Sequence, residues 1–274
     1  MMYPRYELEK DKKELDALFH SYEGALTFAL PDVQFKDINA QILHIDAHQM
    51  YPTQVCKHVF PCGKGTYFEG PAPKGKMSLM HIRASYDSVI LNARPSLIGL
   101  DFGQDIDLWV WDFEIPMFKK CYENFQYHII EGYCYDFRPF PFKAAYEENY
   151  ANRRASRAKG NKFGVIYWKL LNNASYGKLG EKTHTDKVVD IEYENGIYTD
   201  IKEKKDVQFY GGLYTYLPVA SCITAYARKA LIEMAFTFGI DRTLYLATDS
   251  LFVLLNSETE RIWKTIPQDD NIGC

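Results

Sequence analysis

Two short apolar runs near opposite ends of the 274-residue chain each lead into an aspartate: Ile42-Leu43-His44-Ile45 into Asp46, and Leu244-Tyr245-Leu246-Ala247-Thr248 into Asp249. Apolar text of this length reads as a buried strand, and a carboxylate at the rim of a buried sheet is costly unless it has a partner. A fold that accepts both has two options. Each aspartate can satisfy a turn of its own. Alternatively the two strands lie side by side, where paired carboxylates can clamp two Mg²⁺ ions about 3.5–4 Å apart for in-line phosphoryl transfer. The aspartates alone leave both options open.

The opposite sign of charge is concentrated in one place. From Asn152 to Lys182 there are eight basic residues (Arg153, Arg154, Arg157, Lys159, Lys162, Lys169, Lys178 and Lys182) against Glu181, a local charge of +7 in a chain of net charge -4. A solvated helix face normally mixes signs. Lys162, Lys169 and Tyr176 are spaced by seven and share one helical face, with Arg157 near the turn before it. Such a face suits a triphosphate or a nucleic-acid backbone, although a merely basic surface helix has the same pattern.

Around these features the text is continuous, without repeats or a linker, and 47% hydrophobic content is enough to bury a sizeable core. Residues 8–19 are weakly helical up to the break at Gly24. A strand over 41–45 delivers Asp46. From Tyr51 to Pro141 the pattern is strand-like, with turns at Pro61-Cys62-Gly63, Gly70-Pro71 and Pro73-Lys74-Gly75. Residues 142–177 switch to two antiparallel helices broken at Gly160-Asn161, and Gly177 is placed as the terminating glycine of the second. Residues 183–217 return to short strands with a hairpin turn at Glu194-Asn195-Gly196. Pro218 opens a helix that Gly239 stops. A hairpin of 243–246 and 251–255 closes the pattern, with Thr248-Asp249-Ser250 at its tip. No run approaches a membrane span and no apolar leader is seen, so the chain reads as cytoplasmic, with no membrane partner. Six cysteines without a C-x-x-C pair read as reduced thiols.

Four motifs then carry a resemblance. Asp46-Ala47-His48-Gln49-Met50-Tyr51-Pro52 resembles motif A of the family B DNA polymerases, D-x-x-S-L-Y-P. Lys169-Leu170-Leu171-Asn172-Asn173-Ala174-Ser175-Tyr176-Gly177 resembles motif B, K-x-x-x-N-S-x-Y-G. Tyr245-Leu246-Ala247-Thr248-Asp249-Ser250 resembles motif C, Y-x-D-T-D-S, and Tyr22-Glu23-Gly24-Ala25 looks like the Y-x-G-[GA] motif that joins exonuclease and polymerase modules. Their order and the β-rich inserts between them are similar to the protein-primed phage branch.

The resemblance implies an α+β right-hand polymerase: a palm with an antiparallel sheet, helical fingers and β-rich insertions. In it, residues 1–56 would be an N-terminal palm segment, 57–140 an insertion, 141–178 the fingers, and 179–274 palm with a second insertion at 183–217. Exonuclease and thumb regions would be absent. It implies template-directed DNA synthesis from dNTPs on primer-template DNA, with a terminal protein as a further primer and the host cytoplasm as location for a phage product. The cofactor would be two Mg²⁺ ions, or Mn²⁺. Asp46 and Asp249 would be the catalytic metal carboxylates, with the Ala47 carbonyl a further ligand. Tyr51, Arg157, Lys169, Asn173 and Tyr176 would bind nucleotide, with Tyr51 excluding a 2′-hydroxyl; Tyr22, Gly24 and Gly177 would touch DNA.

Besides the absent exonuclease and thumb, the motifs themselves depart from the family's pattern. Ala247 stands where motif C has its first aspartate, Gln49-Met50 replaces Ser-Leu, and Ala174 replaces serine. Ala247 keeps open a remnant that binds DNA or a terminal protein without polymerising. Other signals are set aside: Asp112-Phe113-Glu114 reads as ordinary strand or turn despite its D-x-E form, the spacing of His48, Cys56, His58 and Cys62 matches no zinc module, and no G-x-G-x-x-G or P-loop motif appears.

Overall fold

The computed structural model describes residues 12–98, 105–180, 189–194, 197–203 and 216–266. In chain order the elements are α1 (Lys12–Ser21), β1 (Thr27–Ala29), β2 (Ile42–Asp46), α2 (Met50–Lys57), β3 (Val59–Glu69), β4 (Met77–Ser85), β5 (Ser88–Val89), β6 (Ile106–Trp111), α3 (Ile115–Cys121), β7 (Tyr122–Glu123), β8 (Gln126–Pro139), α4 (Lys143–Ala158), α5 (Lys162–Leu179), β9 (Val189–Glu194), β10 (Ile197–Glu203), α6 (Leu217–Phe238), β11 (Thr243–Ala247), β12 (Ser250–Leu254) and α7 (Ser257–Thr265). The class is α+β, with helices and antiparallel sheets as separate blocks.

Strands from both ends of the chain meet in one antiparallel sheet of order β1-β11-β12-β2. Period-2 alternation sorts its residues: Ile45, Leu246, Leu251 and Val253 are buried on one face, while His44, Asp46, Ser250, Phe252, Tyr245 and Ala247 share the other. A second antiparallel sheet, β3-β8-β4-β6, is built from residues 59–139 and is buried on both faces, with Ile82 and Val110 on one and Leu79 and Trp111 on the other.

Helix α6 lies between the two. It is apolar on nearly every side, as a helix must be that meets packed elements all round. Its first half, with Val219, Cys222, Ile223 and Tyr226, packs with Leu18, Val55, Phe60, Leu79 and Trp111. Its second half, with Leu231, Ala235 and Phe238, belongs to the core that holds Ile45, Leu246 and Val253 of the first sheet. Pro218 in the first turn and Gly239 at φ 97 bound it, where a proline costs no hydrogen bond and a glycine costs no strain.

Two expectations are corrected. The strand-like text beginning at Tyr51 opens with helix α2: Pro52 sits in its first turn, where a fixed φ favours helix, and Pro52, Thr53 and Val55 face inward. Helix α3 likewise interrupts the strands, again with a proline at its start. Gly177 does not end the second fingers helix, which runs on to Leu179 and is capped at Gly180. Leu179 packs against the α6 core, and a side chain at Gly180 would strike the Tyr22 hydroxyl and Ala220. Of the second insertion, β9 and β10 pair antiparallel, and the Asn195-Gly196 turn lies outside the described residues.

Candidate active site

The register of β12 against β2 sets Ser250 opposite Asp46, so Asp249, one residue earlier at the β11–β12 turn, is brought beside Asp46. Two hydrogen bonds fix the pair. The Ala47 amide donates to the Asp249 carbonyl at 2.9 Å, and the Ser250 hydroxyl donates to Asp46 Oδ2 at 3.0 Å. The turn itself is tight: Thr248 has φ 60, its amide donates to the Leu26 carbonyl at 2.8 Å, and the Asp249 amide donates to the Ala247 carbonyl at 2.6 Å. A β-branched residue in the left-handed region costs about 1–3 kcal/mol and persists only where its surroundings hold it. Here β1 and the hairpin hold it.

Asp249 is half-buried, and its carboxyl is pushed up first by burial and then by the neighbouring charge of Asp46, with Lys169 and His44 pulling the other way. Two like charges are thus held together by backbone register, and the Lys169 charge only partly offsets them. The oxygen-only donors of this site, two carboxylates and the Ala47 peptide, fit a hard divalent cation. Among the described residues no group of three or more His, Cys, Asp or Glu side chains is arranged to hold a metal ion.

Above the aspartates, Tyr51 of α2 stacks on Tyr176 of α5, with ring centroids 4.9 Å apart and planes at 30°. Burial holds both phenols above their ordinary value, and Asp249 raises both further. Tyr22 acts on both rings as well and reaches Gly180 at the end of α5. Lys169 is exposed on α5, and its charge is felt at Asp249. The structure therefore gathers Tyr22, Asp46, Tyr51, Lys169, Tyr176 and Asp249. Asn173 is half-buried and Gly177 exposed on the same helix, while Gly24 is exposed with open space where a Cβ would stand. Arg157 is on the neighbouring helix α4. It lies in the last turn of α4, next to Ser156, which is level with Gly164 of α5. At about 1.5 Å per residue that is roughly 8 Å further along the hairpin than Lys169.

Several contributing residues were not singled out by sequence. Asn172, fully buried, donates to Gln49 Oε1 at 3.1 Å and to the Tyr146 carbonyl at 3.4 Å, and accepts from Asn149 Nδ2 at 2.9 Å. Gln49 precedes α2 at φ 50. The departure from serine in motif A thus gives a side chain long enough to tie the motif A turn to the fingers. Its signal was present as the paired Asn172-Asn173, but which of the two turns inward depends on how α5 packs. Ser250 was visible only as part of motif C.

A sequence model of the family described as DNA polymerase type B, organellar and viral, matches residues 100–266. The DNA polymerase of Bacillus phage PZA is 24% identical over 99% of this chain and 48% of its own length; that of Bacillus phage B103 is 23% identical over the same shares. Among solved structures, Phi29 DNA polymerase complexed with primer-template DNA, in a post-translocation binary complex, superposes with a TM-score of 0.78 at 22% identity, covering 97% of this chain and 46% of that one. The ternary complex of the same enzyme with primer-template DNA and incoming nucleotide gives a TM-score of 0.72 with the same coverage. The chain spans about half the length of these relatives.

Proposed function

This chain belongs to the type B DNA polymerases of the organellar and viral class, and from that premise we propose that it is the palm-and-fingers part of a protein-primed, template-directed DNA polymerase. The single observation that carries the reading is the register that sets Asp249 beside Asp46 under the Tyr51–Tyr176 stack. The partners of such a site are primer-template DNA and dNTPs, with a terminal protein offering the first hydroxyl.

The reaction is nucleotidyl transfer: a primer 3′-hydroxyl attacks the α-phosphorus of a dNTP, a phosphodiester bond forms, the α–β bridging bond breaks, and pyrophosphate leaves. Asp46, Asp249 and the Ala47 carbonyl would hold two divalent cations, whose chemistry when bound is to offset phosphate charge and acidify the attacking hydroxyl. The chain's own residues orient the reactants. Lys169, with Arg157, meets the triphosphate and offsets charge on the departing pyrophosphate. Tyr51 lies under the sugar and leaves no room for a 2′-hydroxyl. Tyr176 and Asn173 border the nascent base pair, and Gly177, with Tyr22 and Gly24, lets the DNA strands come close.

The test is primer extension in Mg²⁺ by the chain beside Asp46→Asn and Asp249→Asn. Incorporation that both substitutions abolish supports the assignment; unchanged turnover in either overturns it. A chain that binds primer-template yet extends none, even with Ala247→Asp, would favour a strand-binding remnant instead.

A further inference from the structure

The segment Tyr22–Leu26 has no regular secondary structure, so its carbonyls must find donors elsewhere. Arg228 supplies two of them, and a second buried guanidinium, Arg94, holds the segment by the Ser21 carbonyl before it and the Glu23 carboxylate. Arg94, which follows β5 and is fully buried, donates from Nη2 to the Ser21 carbonyl at 2.8 Å and from Nη1 to the Trp109 carbonyl of β6 at 2.7 Å, while its Nε lies 3.1 Å from Glu23 Oε1. The Glu23 carboxylate also accepts from the Ser96 amide at 3.1 Å and hydroxyl at 2.8 Å. From the other side, Arg228 of α6 donates from Nη1 to the Glu23 and Gly24 carbonyls at 2.6 and 3.2 Å. Its Nη2 pairs with Glu114 at 3.0 Å, and Glu114 is in turn held by the Trp111 amide at 2.9 Å.

Burying two arginines is expensive, and an apolar core of similar volume is often the more stable choice. What these two achieve is orientation. They hold the segment along one edge, Arg228 by its main chain and Arg94 by the Glu23 carboxylate and the Ser21 carbonyl, and Gly24 is exposed, with no heavy atom within 4 Å of where its Cβ would stand. The Asp112-Phe113-Glu114 stretch, unused by the catalytic reading, thereby gains a part as the far anchor.

We infer that Arg94, supplied by the β3–β8 sheet region and locked by Glu23, is a positioning residue that fixes the Tyr22–Gly24 segment against a nucleic-acid backbone. The inference rests on the reading of Tyr22 and Gly24 as DNA contacts. Arg94 touches no strand itself and acts through that segment.

Binding of a fluorescent primer-template to the full chain, followed by anisotropy at fixed salt, tests this without requiring turnover. Tyr22→Ala and Arg94→Lys should each weaken affinity about tenfold, the scale of one misplaced charge-assisted contact. The double variant should bind no worse than Tyr22→Ala alone, a non-additivity that a general loss of stability would not produce. If Arg94→Lys fails to fold, Glu23→Gln carries the test, with a loss of about threefold that again vanishes on the Tyr22→Ala background. Losses that multiply, or an Arg94→Lys and Glu23→Gln that bind like the parent while Tyr22→Ala is weakened, overturn the inference alone. A Tyr22→Ala that binds like the parent overturns the DNA-contact reading, and the inference with it.

Discussion

Adjacent asparagines in α5 should fail in opposite ways. Asn172 is fully buried and holds two good hydrogen bonds, to Gln49 and from Asn149, and a long one to the Tyr146 carbonyl. Asn172→Ala removes all three, strands the Asn149 amide and leaves a small void. At about 1 kcal/mol for each good bond and somewhat less for the long one, the loss is about 2–3 kcal/mol. With an unfolding entropy of about 2.1 cal/mol/K per residue, that lowers Tm by about 4–5 °C. Because the lost links join the motif A turn to the fingers, KM for dNTP should also rise. Asn173 is half-buried at the proposed base-pair pocket, so Asn173→Ala should leave Tm within about 1 °C and act on nucleotide selection alone. Thermal melts of both variants, with steady-state incorporation of correct and mismatched dNTPs, separate the two. The reasoning is refuted if Asn173→Ala is the destabilised variant, or if Asn172→Ala melts with the parent.

Three further outcomes follow from the geometry. Ala247→Asp places a carboxylate on the sheet face that carries Asp46. It should raise Mg²⁺-dependent extension by about 10–100-fold with DNA affinity unchanged or slightly weaker; extension no better than the parent's would show that position 247 is not limiting. Tyr51→Val should admit ribonucleotides with little loss for dNTPs, and an unchanged rNTP/dNTP ratio in single-nucleotide incorporation would remove Tyr51 from that role. His58 lies flat on Tyr226 at 3.9 Å, and burial, helped by Lys229 and Lys57, pushes its pKa down to about 4 from 6.5. Unfolded His58 takes up a proton below about 6.5 and the folded ring does not, so stability is full above that pH and falls as pH drops toward 4. Urea melts of His58→Phe against the parent should differ in the stability lost between pH 6.5 and 4 by about 2 kcal/mol after allowance for the partial exposure of the ring, and equal losses would exclude His58.

Much of the architecture was legible because it is periodic. Short apolar runs marked the strands that carry Asp46 and Asp249, the 3.6-residue repeat marked the helical hairpin with its break at Gly160-Asn161, and Pro218 and Gly239 bracket α6 as they do in sequence. The text from Tyr51 misled because Tyr, Thr and Val favour strands locally, and only packing of the inward face of α2 overrides that preference. Gly177 misled because a glycine inside a helix and one that ends it look alike until a neighbour, here Tyr22 against Gly180, makes one of them obligatory. The two aspartates could be paired by motif order, whereas Arg94 with Ser21, Arg228 with Glu114 and Asn172 with Gln49 join residues far apart in sequence through contacts that no local pattern encodes.

The placing of α6 bears on how the molecule could be cut, grafted or worn down by evolution. Its first half is solvated by one core and its second half largely by the other, so residues 59–139 are no detachable ornament on a self-sufficient palm. Excising them would bare Val219, Ile223 and Tyr226 to water and remove the anchors of Arg228 and the Tyr22 segment in the same stroke. Both sheets should then melt in one cooperative step, with their slowest-exchanging amides sharing one opening energy, and a lineage could trim the rim of this insertion but not lose it.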